Sequence, residues 1–132
     1  MTNVSRVSTI EEELHDGRLI DVTDIAHRVR LKWRRAFMTR GLLYGDPLRG
    51  NMQDVRMLLL DPKGVSRAVD SNYLGRIHVL AVTGGKYLRI PMYTKAVRRA
   101  DGIFVFMASE LDDDIDYEKL VPEDGELPFT VN

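Results

Sequence analysis

The residues able to do chemistry are few and scattered. Three histidines, His15, His27 and His78, lie in separate segments with no HExxH or HxH spacing, so none pairs with another as a zinc site on one helix requires. Asp24 and His27 stand three apart, a spacing at which a helical carboxylate can orient an imidazole. No serine or other nucleophile is tied to them by a motif, and a surface ion pair is the simpler reading. Thr83-Gly84-Gly85-Lys86 can offer backbone amides to an anion, but it separates two β-rich runs at hairpin spacing and reads as a turn. Asp112, Asp114, Asp116 and Glu123 fall at liganding positions of an EF-hand loop, yet Tyr117 takes the place of its obligatory glycine and Pro122 precedes the glutamate. No catalytic residue, metal or cofactor is assigned, and the expectation is a protein that is not an enzyme.

Charge is the stronger signal. The 132 residues carry 19 Lys plus Arg against 20 Asp plus Glu, a formal net charge of -1. That balance conceals a separation: residues 1–109 hold 18 bases and 11 acids, whereas residues 110–132 hold nine acids and one base. Arg28, Arg30, Lys32, Arg34, Arg35 and Arg40 follow one another with no acid between them, and Trp33 sits in their midst. From 28 to 34 cations alternate with Val29, Leu31 and Trp33, the period of a strand, which would set four cations on one face at intervals of ~6.8 Å. Such a face suits phosphates or an acidic protein surface. The same stretch also fits a helical stripe through Ile25, Val29, Ala36 and Phe37; the preferred reading is helix to about 29 and strand to about 37. The candidate interaction residues are thus Arg28, Arg30, Lys32, Trp33, Arg34, Arg35 and Arg40. Their candidate counterpart is the acidic tail, Asp112, Asp113, Asp114, Asp116 and Glu118, which could lie on the basic face and screen it. The plainer alternative is a solvated strand face whose cations deter edge pairing.

The elements that must position these residues follow from caps and periodicity. Residues 1–7 show no periodicity and are expected to be flexible. Ser8 and Thr9 stand three before Glu11 and Glu12, a capping-box spacing that opens a helix from Ile10 to about Asp16, closed by Gly17. Residues 18–22 read as extended, and Thr23 as the cap of a second helix. Residues 44–50 form a loop, and Asn51 caps a helix over 52–60 with Met52, Val55 and Leu59 at core spacing and Leu58 beside them, the run 57–60 being equally compatible with a short buried strand. Three β-rich runs, 76–82, 87–97 and 103–109, are joined by Gly84-Gly85 and Asp101-Gly102 and predict an antiparallel meander, with Pro91 on an unpaired side or at a bulge. The expected fold is α+β: a small antiparallel sheet, the three-strand meander plus one or two more strands, packed by two or three short helices. The domain is placed at 8–109 and an acidic tail at 110–132, whose few apolar residues could dock in part but which is expected to be mobile.

The absence of cysteine excludes disulfide scaffolds, thiolate metal sites and cysteine nucleophiles. The longest uninterrupted apolar stretch, 102–108, falls far short of the ~20 residues of a spanning helix, so a membrane partner is not expected.

The stretch DGRLIDVTDIAHRVRLKWRRAFMTRGLL, residues 16–43, resembles the opening of a small family of unknown function found in actinobacteria, their plasmids and their phages. Asp16, Gly17, Leu19, Asp21, Val22 and Thr23 match its DG-x-L-x-DV-S/T pattern, Ala26 matches in the short helix that follows, and Thr39 and Arg40 match its T-R with a slight slip in spacing. YTKAVRRADGIFVFMASE, residues 93–110, is similar to that family's closing hairpin. Arg30 and Arg34 depart from it, standing where the family tends to have glycine and proline. The resemblance implies a small α+β domain from a mobile element and supplies no catalytic residue. Together these readings lead to the expectation of a non-enzymatic phage or mobile-element accessory protein in the host cytoplasm that binds and modulates a host macromolecule, a protein first. The alternative is a nucleic-acid-binding protein that uses residues 28–40, and a homodimer through exposed sheet edges or the face of 52–60 is compatible with either.

Overall fold

The computed structural model describes residues 9–46, 48–60, 64–70, 75–83, 86–109 and 116–122. The chain opens with α1 (Ile10–His15), where the expected capping box forms: Thr9 Oγ1 accepts from Glu12 N at 3.1 Å, and Glu12 Oε1 accepts from Thr9 N at 2.9 Å. Gly17, at φ 75°, turns the chain out of this helix. The strand β1 (Leu19–Asp21) follows, then α2 (Thr23–Arg28), β2 (Arg35–Thr39) and α3 (Arg40–Tyr44). Asn51 caps α4 (Met52–Leu60), its Oδ1 accepting from Gln53 N at 3.0 Å and Asp54 N at 3.2 Å. After α5 (Val65–Asp70) come β3 (Gly75–Thr83), β4 (Lys86–Arg99) and β5 (Gly102–Ala108), and α6 (Tyr117–Leu120) closes the described chain.

The fold is α+β. Its single sheet has five strands in the order β1-β2-β5-β4-β3, and the meander β3-β4-β5 is antiparallel as its turns require. One pairing departs from the all-antiparallel expectation, because β2 runs parallel to β5. The long connection between them, which contains three helices and the β3-β4 hairpin, lets the chain return in either direction, a freedom that a tight turn lacks. Pro91 stays in unbroken register opposite His78, in the stretch of β4 that β5 does not reach, so its missing donor leaves no gap in a ladder.

Alternation along the central strands divides the core in two. Ala36, Met38, Val105 and Met107 face the larger cluster, with Val22 and Ala26 of the α2 region, Leu42 and Leu43 of α3, Val55, Leu58 and Leu59 of α4, and Val65 and Val69 of α5. Phe37, Val97 and Phe106 point to the other face and meet Ile10, Leu19, Leu120 and Val121. Met52, placed at core spacing by periodicity, is 42% exposed, since α4 turns Val55, Leu58 and Leu59 inward instead. The short helix α3 had no periodic signal, and Thr39 begins it by accepting from Leu42 N.

The described part of the acidic tail is docked. Phe37 stacks on Phe106 at 5.2 Å and Phe106 on Tyr117 at 4.9 Å, while Leu120 and Val121 are buried. Arg99 fastens the segment by donating from Nη2 to Val121 O and from Nε to Pro122 O, each at 3.0 Å. Among the described residues no helix is long and apolar enough to cross a membrane.

Candidate functional site

The connection between α2 and β2 carries the basic cluster, and it is fixed from below. Asp21 Oδ1 accepts from Thr23 N at 2.8 Å, so the carboxylate before the helix, and not the threonine, satisfies its first free amide. The Thr23 hydroxyl is used elsewhere: it accepts from Ala36 N at 3.0 Å and donates to Ala36 O, tying the start of α2 to β2. At the other end, Arg30 N donates to His27 O and Leu31 N to Ala26 O, each at 3.0 Å, and Arg34 N donates to Ile103 O at 2.8 Å. The His27 ring lies 2.7 Å from Trp33 O through Nε2; a carbonyl only accepts, so Nε2 carries the proton.

The helix ends at Arg28, as the preferred reading has it, and of the strand expected from there to about 37 only 35–37 form, the first part being replaced by these contacts. The in-out alternation survives, with Arg28, Arg30, Lys32 and Arg34 exposed while Val29, Leu31 and Trp33 turn inward, but the backbone is an irregular loop. Arg30 breaks any regular ladder because its φ is 69°, in the left-handed region that disfavours a residue with a Cβ. The spacing of a regular strand therefore does not apply. Trp33 is not part of the surface: it is 5% exposed and packs in the larger core, where its bulk anchors the loop.

The seven residues singled out from sequence divide into three groups. Arg28, Arg30 and Lys32 are exposed, and their side chains form no ion pair or hydrogen bond with a described residue. Arg34 and Arg35 are engaged. Arg34 Nε lies 3.7 Å from Asp101 Oδ2; Arg35 Nη2 lies 3.0 Å from Asp21 Oδ2 and Nη1 3.5 Å from Glu11 Oε2, with the guanidinium 4.8 Å over the Phe37 ring. Partial burial opposes ionisation of Asp21, but hydrogen bonds from Thr23 and Arg35 outweigh it and hold its carboxyl below the ordinary carboxylate value. Arg40 stands apart, at the far end of β2, roughly 17 Å along the strand from Arg35, with its guanidinium 5.9 Å over the Tyr44 ring.

Beside the loop lies an open hollow of about 620 Å³ lined by Asp21, Thr23, Asp24, His27, Arg34 and Arg35. Both signs of charge face it. Asp24 makes no hydrogen bond to His27, whose Nε2 is committed to Trp33, so the pair is not assembled as a catalytic dyad. Among the described residues no group of three His, Cys, Asp or Glu is placed to hold a metal. The side chain of His78, the Thr83–Lys86 turn and most of the EF-hand-like spacing, including Asp112 and Asp114, lie outside what the structure describes.

Of the tail acids, Asp112, Asp113 and Asp114 also lie outside the described residues. Glu118 pairs with Lys95 at 3.0 Å and Asp116 lies 3.7 Å from Lys119, in a segment docked on the Phe37–Phe106 face. The connection 28–34 packs its apolar residues on the other face, so residues 116–122 do not screen it. Two partners that the sequence did not disclose are Asp101 and Gly102. Gly102 has φ 140°, and a Cβ there would stand 2.8 Å from Arg34 Cβ, so the glycine makes room for the arginine. Compared with protein-family models, with curated proteins and with solved structures, the chain finds no match in any of the three.

Proposed function

We propose that this is a non-enzymatic accessory protein of a phage or other mobile element, which binds an acidic surface of a host protein in the host cytoplasm through Arg28, Arg30 and Lys32. The observation that carries this reading is Arg30, an arginine held at φ 69° with its guanidinium unpaired among the described residues. A left-handed conformation costs a non-glycine residue about 1–2 kcal/mol. An unpaired charge kept at a disfavoured backbone position, on a loop pinned by His27, Trp33 and Ile103, has the form of a pre-organised contact.

Protein is favoured over nucleic acid by charge. The three cations of the loop that are unpaired among the described residues fall below the roughly 6–10 phosphate contacts of a strongly salt-dependent DNA binder, and Asp21 and Asp24 in the adjoining hollow would repel a phosphate chain. Mixed signs beside a basic loop suit a protein surface, where complementarity sets register and partner choice. Non-enzymatic action is supported by the structural employment of the candidate groups: Asp21 and Thr23 brace α2 and His27 braces the loop.

The test is capture from an actinobacterial lysate at near-physiological salt, with binding to duplex DNA at low salt measured in parallel. The expected result is one discrete protein retained by the wild type and lost by the Arg28→Glu, Arg30→Glu, Lys32→Glu variant. A steeply salt-dependent DNA shift with no protein captured would contradict it.

A further inference from the structure

The hollow beside the basic loop is lined by Asp21, Thr23, Asp24, His27, Arg34 and Arg35, and its chemistry follows from which of these are already engaged. Arg35 donates to Asp21 and to Glu11, and Arg34 lies against Asp101, so each guanidinium has carboxylates of its own. The Thr23 hydroxyl is engaged with Ala36, accepting from its N and donating to its O. The Asp24 carboxylate, by contrast, is exposed and forms no ion pair or hydrogen bond with a described residue. His27 commits its Nε2 proton to Trp33 O, which leaves Nδ1 of the neutral ring with a bare lone pair. Both of these unused groups accept, and neither donates.

Asp24 and His27 stand three apart on α2, a spacing that sets their Cβ atoms about 5–6 Å apart on one helix face. An occupant must therefore bring at least two donors spread over that gap. We infer that the hollow receives the guanidinium of an arginine side chain, which donates to the Asp24 carboxylate and to His27 Nδ1 together. A guanidinium carries five donors in a rigid planar fork, so one group serves both acceptors, whereas an ammonium is a compact point charge on a flexible stem. Charge agrees with this occupant, because the carboxylates of Asp21, Asp24, Asp101 and Glu11 stand against the guanidiniums of Arg34 and Arg35. At about 620 Å³ the hollow has room for such a side chain. The inference rests on the proposed function for the source of the arginine: it belongs to the acidic surface that meets Arg28, Arg30 and Lys32, so that opposite charges are exchanged in both directions across one contact.

The test is a nuclear magnetic resonance titration of the isotopically labelled full chain at about pH 8, above the range in which histidine side chains change charge. The probe is N-acetyl-L-arginine methylamide, whose one charge is the guanidinium. The expected result is a saturable shift of the Asp24 and His27 signals with a Kd on the order of 1–10 mM, weakened at least about fivefold in Asp24→Asn. The Arg28→Glu, Arg30→Glu, Lys32→Glu variant should still take the probe. Failure of the loop reading, seen as no host protein captured, is thereby separate from failure of this inference, seen as no uptake of the probe. Absence of a saturable shift, an unchanged affinity in Asp24→Asn, or a lysine or glutamate analogue that binds as tightly overturns the inference.

Discussion

At Arg30 two requirements conflict, and the conflict is measurable. Replacing it with glycine relieves the left-handed backbone and should raise stability by roughly 1 kcal/mol, a rise of about 3–5 °C in Tm for a chain of this size. Asp21 gives a second prediction with a definite sign. Its folded carboxyl is held below the ordinary value by Thr23 and Arg35, so its contribution is fully present above the ordinary carboxylate range and is lost as pH falls through the lowered value. Asp21→Asn should therefore be less stable at neutral pH, by about 1 kcal/mol after allowance for solvent screening, and the gap should close below about pH 4. Chemical denaturation at several pH values reads both ends. The importance of Asp21 could not be read from local spacing, because the salt bridge joins it to Arg35, fourteen residues on, and Thr23 offered itself as the obvious cap. Thr9 was legible because its capping box closes within three residues.

Among the elements, the docked segment 116–122 changes the meaning of the acidic tail. Tyr117, Leu120 and Val121 cover Phe106 and Phe37 on the second face of the sheet, so their hold is chiefly apolar. Leu120→Ala should cost about 2–3 kcal/mol, while about 1 M salt, where charges are screened within about 3 Å, should leave the segment in place. Dye binding to an exposed aromatic face would report its release. The β4-β5 turn gives another prediction: Gly102→Ala meets both a forbidden φ and Arg34, and should cost about 1–3 kcal/mol by denaturant unfolding. The meander was visible in the sequence because alternation and Gly-containing turns are local signals. The parallel contact of β2 with β5 was not, because it closes a long connection that no short-range pattern records. Within 28–34 alternation foretold which side chains face water, yet it misassigned the backbone, since a pinned loop can reproduce the in-out order of a strand.

For the whole molecule, a near-zero net charge resolves into distinct surfaces. The described tail acids answer Lys95 and Lys119 on one face, and the 28–32 loop keeps its cations unpaired among the described residues. A basic run in sequence was therefore a useful but coarse guide: it included Trp33, which belongs to the core, Arg34 and Arg35, which are paired, and Arg40, which lies at the far end of β2. Tertiary contacts select three of those seven residues, and no spacing rule would have done so. On the proposed function, the strain at Arg30 is retained because its charge binds a partner. The most direct measurement compares partner retention by Arg30→Gly and Arg30→Lys at equal folded fraction, alongside their melting temperatures. The glycine variant should melt higher yet lose roughly tenfold in affinity, about 1.4 kcal/mol, while the lysine variant should retain the partner. A glycine variant that melts higher and binds undiminished would contradict it.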